Sequence, residues 1–290
     1  MYVADSHPAP APGRIREYRT TVGGIATRAI EVGGHGPPIV LFHGFCDSAD
    51  TWRLVLRSLA ESERAAVAYD MPCFGYADWG TEGNLLDQQV SFGTAAVERA
   101  AQESGEKVIV VGNSLGGWAT LRIAERELPI AGIVPVAPAG IELSPWFLRA
   151  DRIGGISPLI ALPAPIPAAL IRQVVGRAFV RVAYADPRAV DPWAVRRFCL
   201  HNRDRSVFRR RLVAAQGVKS ELDRPFNPAR VKVPSVVLWG DRDLLCLPRA
   251  AEPLAAQLGA KLIMVEGCGH CPQLEAPDSV IEAIDAVASG

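Results

Sequence analysis

The chain is poor in the features that mark several protein classes. Cysteine occurs only six times in 290 residues (Cys46, Cys73, Cys199, Cys246, Cys268 and Cys271), at uneven spacings. That is too sparse for a disulfide-stapled secreted fold, and a reduced, cytoplasmic protein is expected. Cys268 and Cys271 form one C-x-x-C around His270, but no second ligand pair accompanies them, so no metal is expected. No apolar run approaches the roughly 18 residues that a membrane span requires. The N-terminal stretch, rich in Pro and Ala, has neither a basic start nor an apolar segment. It reads as an extended, poorly ordered tail, not a signal peptide. Charge of one sign is also missing: 31 basic residues balance 31 acidic ones, which points away from nucleic acid. Histidine occurs five times, so candidates for a catalytic base are few.

What is present is an ordinary globular composition, 49% apolar and 21% charged, long enough for one large domain or one domain with an insertion. Residues 15–22 and 25–32 alternate apolar and polar around Gly23-Gly24, as in a hairpin. Strand-like runs follow at 39–42, 65–69, 107–111 and 130–136, separated by helical spacing at 51–60, 84–103 and 115–128. This alternation predicts a mostly parallel sheet with helices on both faces, whose strand ends form sites. From about Ile141 to Pro225 the alternation stops. Prolines divide the first half, and helix-like segments rich in arginine (168–184, 192–201, 205–217) fill the rest. Strand and helix patterns resume at 233–239, 249–258, 261–265 and 277–288.

The organising stretch is Gly112-Asn113-Ser114-Leu115-Gly116-Gly117, between an apolar strand and a helix. Glycines two residues either side of Ser114 permit a sharp strand-to-helix turn, which lifts the hydroxyl above the sheet beside the first N–H groups of the helix. A serine needs a base, and the base needs an acid to orient it. Both occur in later loops after strands: Asp243 in Gly240-Asp241-Arg242-Asp243, with Asp241 as a competing loop carboxylate, and His270 in Gly267-Cys268-Gly269-His270. The turn after the third strand, His43-Gly44-Phe45-Cys46, is placed to aim a backbone N–H, that of Phe45, at an oxyanion; Leu115 supplies the other. His43 is read as a buttress of that turn.

His43-Gly44-Phe45, Gly112 to Gly117, Trp239 to Asp243 and Gly269-His270, taken in order, resemble the α/β-hydrolase superfamily, and within it the capped serine hydrolases of the esterase and C–C bond hydrolase branch. The resemblance implies an eight-stranded, mostly parallel sheet flanked by helices. It implies a core of 1–140 and 226–290 with 141–225 as a helical cap. It maps the nucleophile to Ser114, the acid to Asp243, the base to His270 and the oxyanion donors to Phe45 and Leu115. A small acyl substrate is implied, and no cofactor. Epoxide hydrolases and dehalogenases carry Asp where this chain has Ser114. C–C hydrolases commonly have Trp after the histidine, where this chain has Cys271. In those enzymes a cap arginine meets the substrate carboxylate, for which Arg196 and Arg197 are the candidates; Trp118 is a further substrate-binding candidate. The usual Asp-x-Pro-Gly-x-Gly segment is Asp70-Met71-Pro72-Cys73-Phe74-Gly75 here, with Cys73 in place of a glycine. Residues 158–166 could line an acyl pocket or pack the cap, and Arg205–Arg211 could attract an anion or form a solvated face. Ester hydrolysis is the expected reaction, with C–C hydrolysis, thioester hydrolysis and a non-catalytic binding protein as alternatives.

Overall fold

The computed structural model describes residues 10–80, 84–145, 168–201 and 226–289, together with Arg211, Val218, Glu221, Leu222 and Arg224. Eight strands make one sheet: β1 (Ile15–Val22), β2 (Ile25–Val32), β3 (His35–Phe42), β4 (Arg64–Tyr69), β5 (Val108–Asn113), β6 (Ile130–Val136), β7 (Val236–Gly240) and β8 (Lys261–Val265). Their order is β1-β2-β4-β3-β5-β6-β7-β8. β1 and β2 form the expected hairpin, its two-residue turn made possible by Gly23 and Gly24 at φ 54° and 81°. β2 also runs antiparallel to β4, and every later pairing is parallel.

Among the described residues the longer helices are α1 (Arg53–Glu61), α2 (Leu85–Ser104), α3 (Leu115–Ala124), α4 (Ala168–Ala183), α5 (Pro192–His201), α6 (Ala251–Leu258) and α7 (Pro277–Ala288). α2 opens where Asn84 accepts the Asp87 N–H at 2.8 Å and closes on Gly105 at φ 73°. Side chains alternate along the central strands, so the sheet has two dry faces. Val40, Phe42, Val108 and Val110 pack with Val90, Phe92, Leu121 and Leu254 on one side. Ile39, Leu41, Ile109 and Val111 pack with Trp52, Leu56, Val280 and Ile284 on the other.

Several boundaries differ from expectation for local reasons. α3 ends at Ala124, not at residue 128, because Pro129 biases Leu128 to extended backbone just before β6 starts. β7 starts at Val236, not Val233; the intervening Pro234 has no N–H to give a ladder. The segments 158–166 and 205–210 lie outside the described residues. Arg211 does not belong to a solvated face: it is 2% exposed, and its guanidinium donates to backbone carbonyls. No helix among the described residues is long and apolar enough to cross a membrane.

A buried ionic cluster fastens the sheet to the segments above it. Arg28, on β2, donates to both oxygens of Asp70 at 2.9 and 3.0 Å and to Asp50 at 2.9 Å. Asp50 also accepts from Arg53, from Arg197 at 3.0 Å and from His201 at 3.1 Å, the last two on α5. Burial pushes the Asp50 carboxyl up, but the hydrogen bonds from His201, Arg28 and Arg53 outweigh it and hold the group well below its ordinary value. Replacing Arg28 by Met would leave the buried Asp70 carboxylate without its arginine, at a cost of about 3–5 kcal/mol. Urea unfolding of the Arg28→Met variant measures this, and a loss under about 1 kcal/mol would mean that the cluster contributes little to stability.

Candidate active site

Each part of the site hangs from the end of a parallel strand. Ser114 leaves β5 at φ 56° and ψ −115° and starts α3 directly. A non-glycine residue is strained there, and the strain persists only where neighbours fix it. They do so by close backbone approach. A Cβ on Gly112 would lie 2.2 Å from the Gly116 carbonyl oxygen, and one on Gly116 would lie 2.3 Å from that of Phe42. Ser114 N–H donates to Val136 O at 2.9 Å, and its carbonyl accepts from Ala139 N–H at 2.9 Å, so β6 holds the turn from the far side.

Asp243 follows β7. One oxygen accepts the N–H groups of Leu245 and Cys246 at 2.8 and 3.0 Å, and the other meets His270 Nδ1 at 2.7 Å. Two amides and an imidazole thus fix the carboxylate, while Asp241, the competing carboxylate, is exposed. His270 follows β8 in a loop pressed onto the end of β7, where a Cβ on Gly240 would lie 2.2 Å from Gly269 O. The Glu275 carboxylate holds that loop by accepting Gly269 N–H at 2.6 Å, and it also accepts Ala185 N–H, just past α4, at 3.0 Å. Asn113 Nδ2 donates to His270 O at 3.0 Å, which brings the imidazole-bearing residue beside the residue before Ser114. Among the described residues His270 pairs with Asp243, and no hydrogen bond joins its Nε2 to Ser114 Oγ.

The turn after β3 lies against the serine: a Cβ on Gly44 would sit 3.2 Å from that of Ser114. Phe45, next in the chain, gives its N–H to no acceptor among the described residues. Leu115 opens α3, where the first N–H groups have no intrahelical partner. Two donors beside one hydroxyl, with an ordered imidazole–carboxylate pair close by, can stabilise an oxyanion and move a proton. His43 serves the turn itself. Its Nε2 accepts Met71 N–H at 2.8 Å and its Nδ1 donates to Gly44 O at 2.8 Å.

The remaining predicted residues go elsewhere. Arg197 is committed to Asp50, 147 residues away in sequence, and Arg196 is exposed. Trp118 is buried under Arg122 and lines a cavity of about 230 Å3 with Leu86, Asp87 and Glu221, none of whose walls is Ser114, Asp243 or His270. A second cavity, of about 480 Å3, lies between α4 and α5 with Val180, Tyr184 and Val195 among its walls, and reaches Leu244, next to Asp243. Two residues missed by sequence reasoning adjoin the site: Cys246, whose thiol lies within 4.8 Å of donor atoms of Asp243 and His270, and Glu275. A Cys/Asp/His trio is a donor set for a thiophilic cation. Here Asp243 and His270 already satisfy one another, and burial pushes the Cys246 thiol well above its ordinary value.

The alpha/beta hydrolase family profile matches residues 39–283. The chain belongs to that family. It is a hydrolase, and its relatives are diverse. Esterase Rv0045c of Mycobacterium tuberculosis is 33% identical over 120 residues, covering 40% of this chain and 39% of that protein. Human monoacylglycerol lipase ABHD6 is 25% identical over 259 residues, covering 87% of this chain and 75% of the lipase. Among solved structures, 2-hydroxy-6-oxo-6-phenylhexa-2,4-dienoate hydrolase (BphD) from Rhodococcus sp. strain RHA1 superposes with a TM-score of 0.76 at 23% identity, covering 96% of this chain and 99% of that one. That likeness shows the fold.

Burial pushes the His43 imidazole down from 6.5 to about 4, so the folded protein keeps it neutral. An unfolded chain takes a proton near pH 6.5 that the folded one refuses. Stability is therefore lost as pH falls from 6.5 through 4, by on the order of 3 kcal/mol. Asp47, raised by burial to about 7, has the opposite sign and costs stability as pH rises toward 7. Urea midpoints between pH 4 and 8 should show the acid loss flattened in His43→Gln; an unchanged acid limb would remove His43 as its source.

Proposed function

We propose that the protein is a serine hydrolase that cleaves a carboxylic ester through an acyl-enzyme. Ser114 Oγ attacks the ester carbonyl while His270 Nε2 takes its proton, and the same imidazole then protonates the departing alcohol. Asp243 keeps Nδ1 protonated and stabilises the imidazolium. The N–H groups of Phe45 and Leu115 hold the tetrahedral oxyanion, each worth about 10²–10³ in rate. Water, with its proton passing to His270, completes the cycle. No step calls for a metal or organic cofactor.

The observation that carries this reading is the 2.7 Å Asp243–His270 pair, anchored by two backbone amides at the sheet edge where the strained Ser114 turn emerges. Ester cleavage is favoured over C–C cleavage of a carboxylate-bearing diketone. Arg197, the cap cation suited to such a carboxylate, is already neutralised by Asp50, and Cys271 stands where Trp is common. Residues 141–225 are proposed as the cap over this site. Six free, buried cysteines fit a reducing compartment, which favours a cytoplasmic location.

Fluorophosphonate labelling and turnover of p-nitrophenyl butyrate test the reading. Ser114→Ala should abolish labelling and lower kcat by at least about 10⁴-fold, and Asp243→Asn should lower it by about 10⁴ through the wrong tautomer. Hydrolysis that survives Ser114→Ala would identify another nucleophile. Turnover of a dienol diketone with no turnover of esters would transfer the assignment to C–C hydrolysis.

A further inference from the structure

The turn after β4, residues 70–76, carries more strain than its length suggests. Cys73 stands where the family pattern has glycine, and its φ of 74° is a left-handed value that a Cβ resists. Gly75, at φ 52°, passes so close to Asp70 that an added Cβ would lie 2.3 Å from the carboxyl carbon. A turn of this kind keeps its shape only if its surroundings over-determine it.

Two grips do so. On the sheet side, Asp70 is held by Arg28 and accepts the N–H groups of Ala49 at 2.7 Å and Tyr76 at 2.8 Å. On the other side stands Arg211. Its Nε donates to Cys73 O at 2.9 Å, one Nη to Gly75 O at 3.5 Å and the other to His201 O, the last residue of α5, at 2.9 Å. The guanidinium also lies 5.7 Å from the centre of the Phe74 ring. Arginine suits this place because its rigid fork can meet several carbonyls at once, which a lysine ammonium on a flexible stem does not.

Phe74, between the two grips, is fully buried and faces the site. Its ring meets Phe45 edge-on at 5.2 Å and His43 at 6.0 Å. Met71 N–H, in the same turn, donates to His43 Nε2. The shape of the 70–76 turn therefore sets the 43–46 turn, and with it the direction of the Phe45 N–H.

We infer that Arg211 is a positioning residue for oxyanion stabilisation: by clamping the strained Cys73 turn against α5, it fixes Phe74 and through it the Phe45 donor. The inference rests on the reading of Phe45 as an oxyanion donor. It makes the placement of the Arg211 guanidinium a condition for fast chemistry, separate from any contact with substrate.

The test is a pair of substitutions read in two ways. Arg211→Met should lower kcat for p-nitrophenyl butyrate roughly tenfold, a fraction of what losing a whole donor costs, with KM changed less than about twofold. In the Cys73→Gly background, where the turn needs less restraint, the same substitution should cost less than about threefold. Hydrogen exchange, which needs no catalysis, should speed up in peptides covering 43–47 and 71–76 of Arg211→Met while those of β5 and β6 stay protected. If Arg211→Met does not fold, Arg211→Lys with and without Cys73→Gly replaces it. The proposal is overturned if kcat stays within about twofold, if only KM rises, if Cys73→Gly gives no relief, or if exchange at 43–47 is unchanged. A wild-type protein that neither labels at Ser114 nor hydrolyses esters would remove the catalytic reading instead; unchanged exchange would remove the clamp whether or not that reading stands.

Discussion

Arg28 sits in β2 with its guanidinium out of water, and a charge buried in this way persists only with carboxylates on its donors. Asp50 and Asp70 meet that requirement from two different turns. The constraint works in both directions. Asp70 ends β4 and shapes the turn that follows it, and Asp50 opens the helical turn before α1 and receives Arg197 and His201 from α5. One cation on the sheet thus ties together three segments, and one of them, the turn after β4, packs through Phe74 on the 43–46 turn beside Ser114. An apolar residue at this position would leave Asp70 without its cation and those segments without a common reference.

The end of the molecule that carries the proposed triad is held by other means. Ser114 is constrained by glycines that let backbone touch backbone, Asp243 by amides of its own loop, and His270 by the carboxylate in front of it. These restraints are short-range and independent, which suits groups whose relative placement must hold to fractions of an ångström. The ionic cluster acts over a longer span and sets the 43–46 and 70–76 turns that face the serine.

How much of this was legible depended on whether the signal was local. The turn at Ser114 could be read because strand, glycines and helix lie within one short stretch. Asp243 and His270 could be placed because each follows a strand in a parallel sheet, and strand direction alone assigns them to one edge. The hairpin turn at Gly23-Gly24 and the start of the last helix at Pro277 were local too. The pairing of Arg197 was not legible because its partner, Asp50, is 147 residues away and nothing near either residue announces it. Arg211 looked like one more solvated arginine; only the fold reveals that carbonyls surround it. Arg28 lies in the middle of an alternating strand, and nothing in its neighbours marks it as buried. Buried ions are long-range features, and composition and periodicity are blind to them.

Glu275 carries a consequence beyond holding one loop. Its two oxygens join the peptide before His270 to the peptide just past α4, so a single side chain ties the loop that bears the imidazole to that helix. A displacement of α4 would pull on that carboxylate and, through it, on the loop that carries the imidazole. On the proposed assignment, the alignment of the base is therefore mechanically linked to the position of α4.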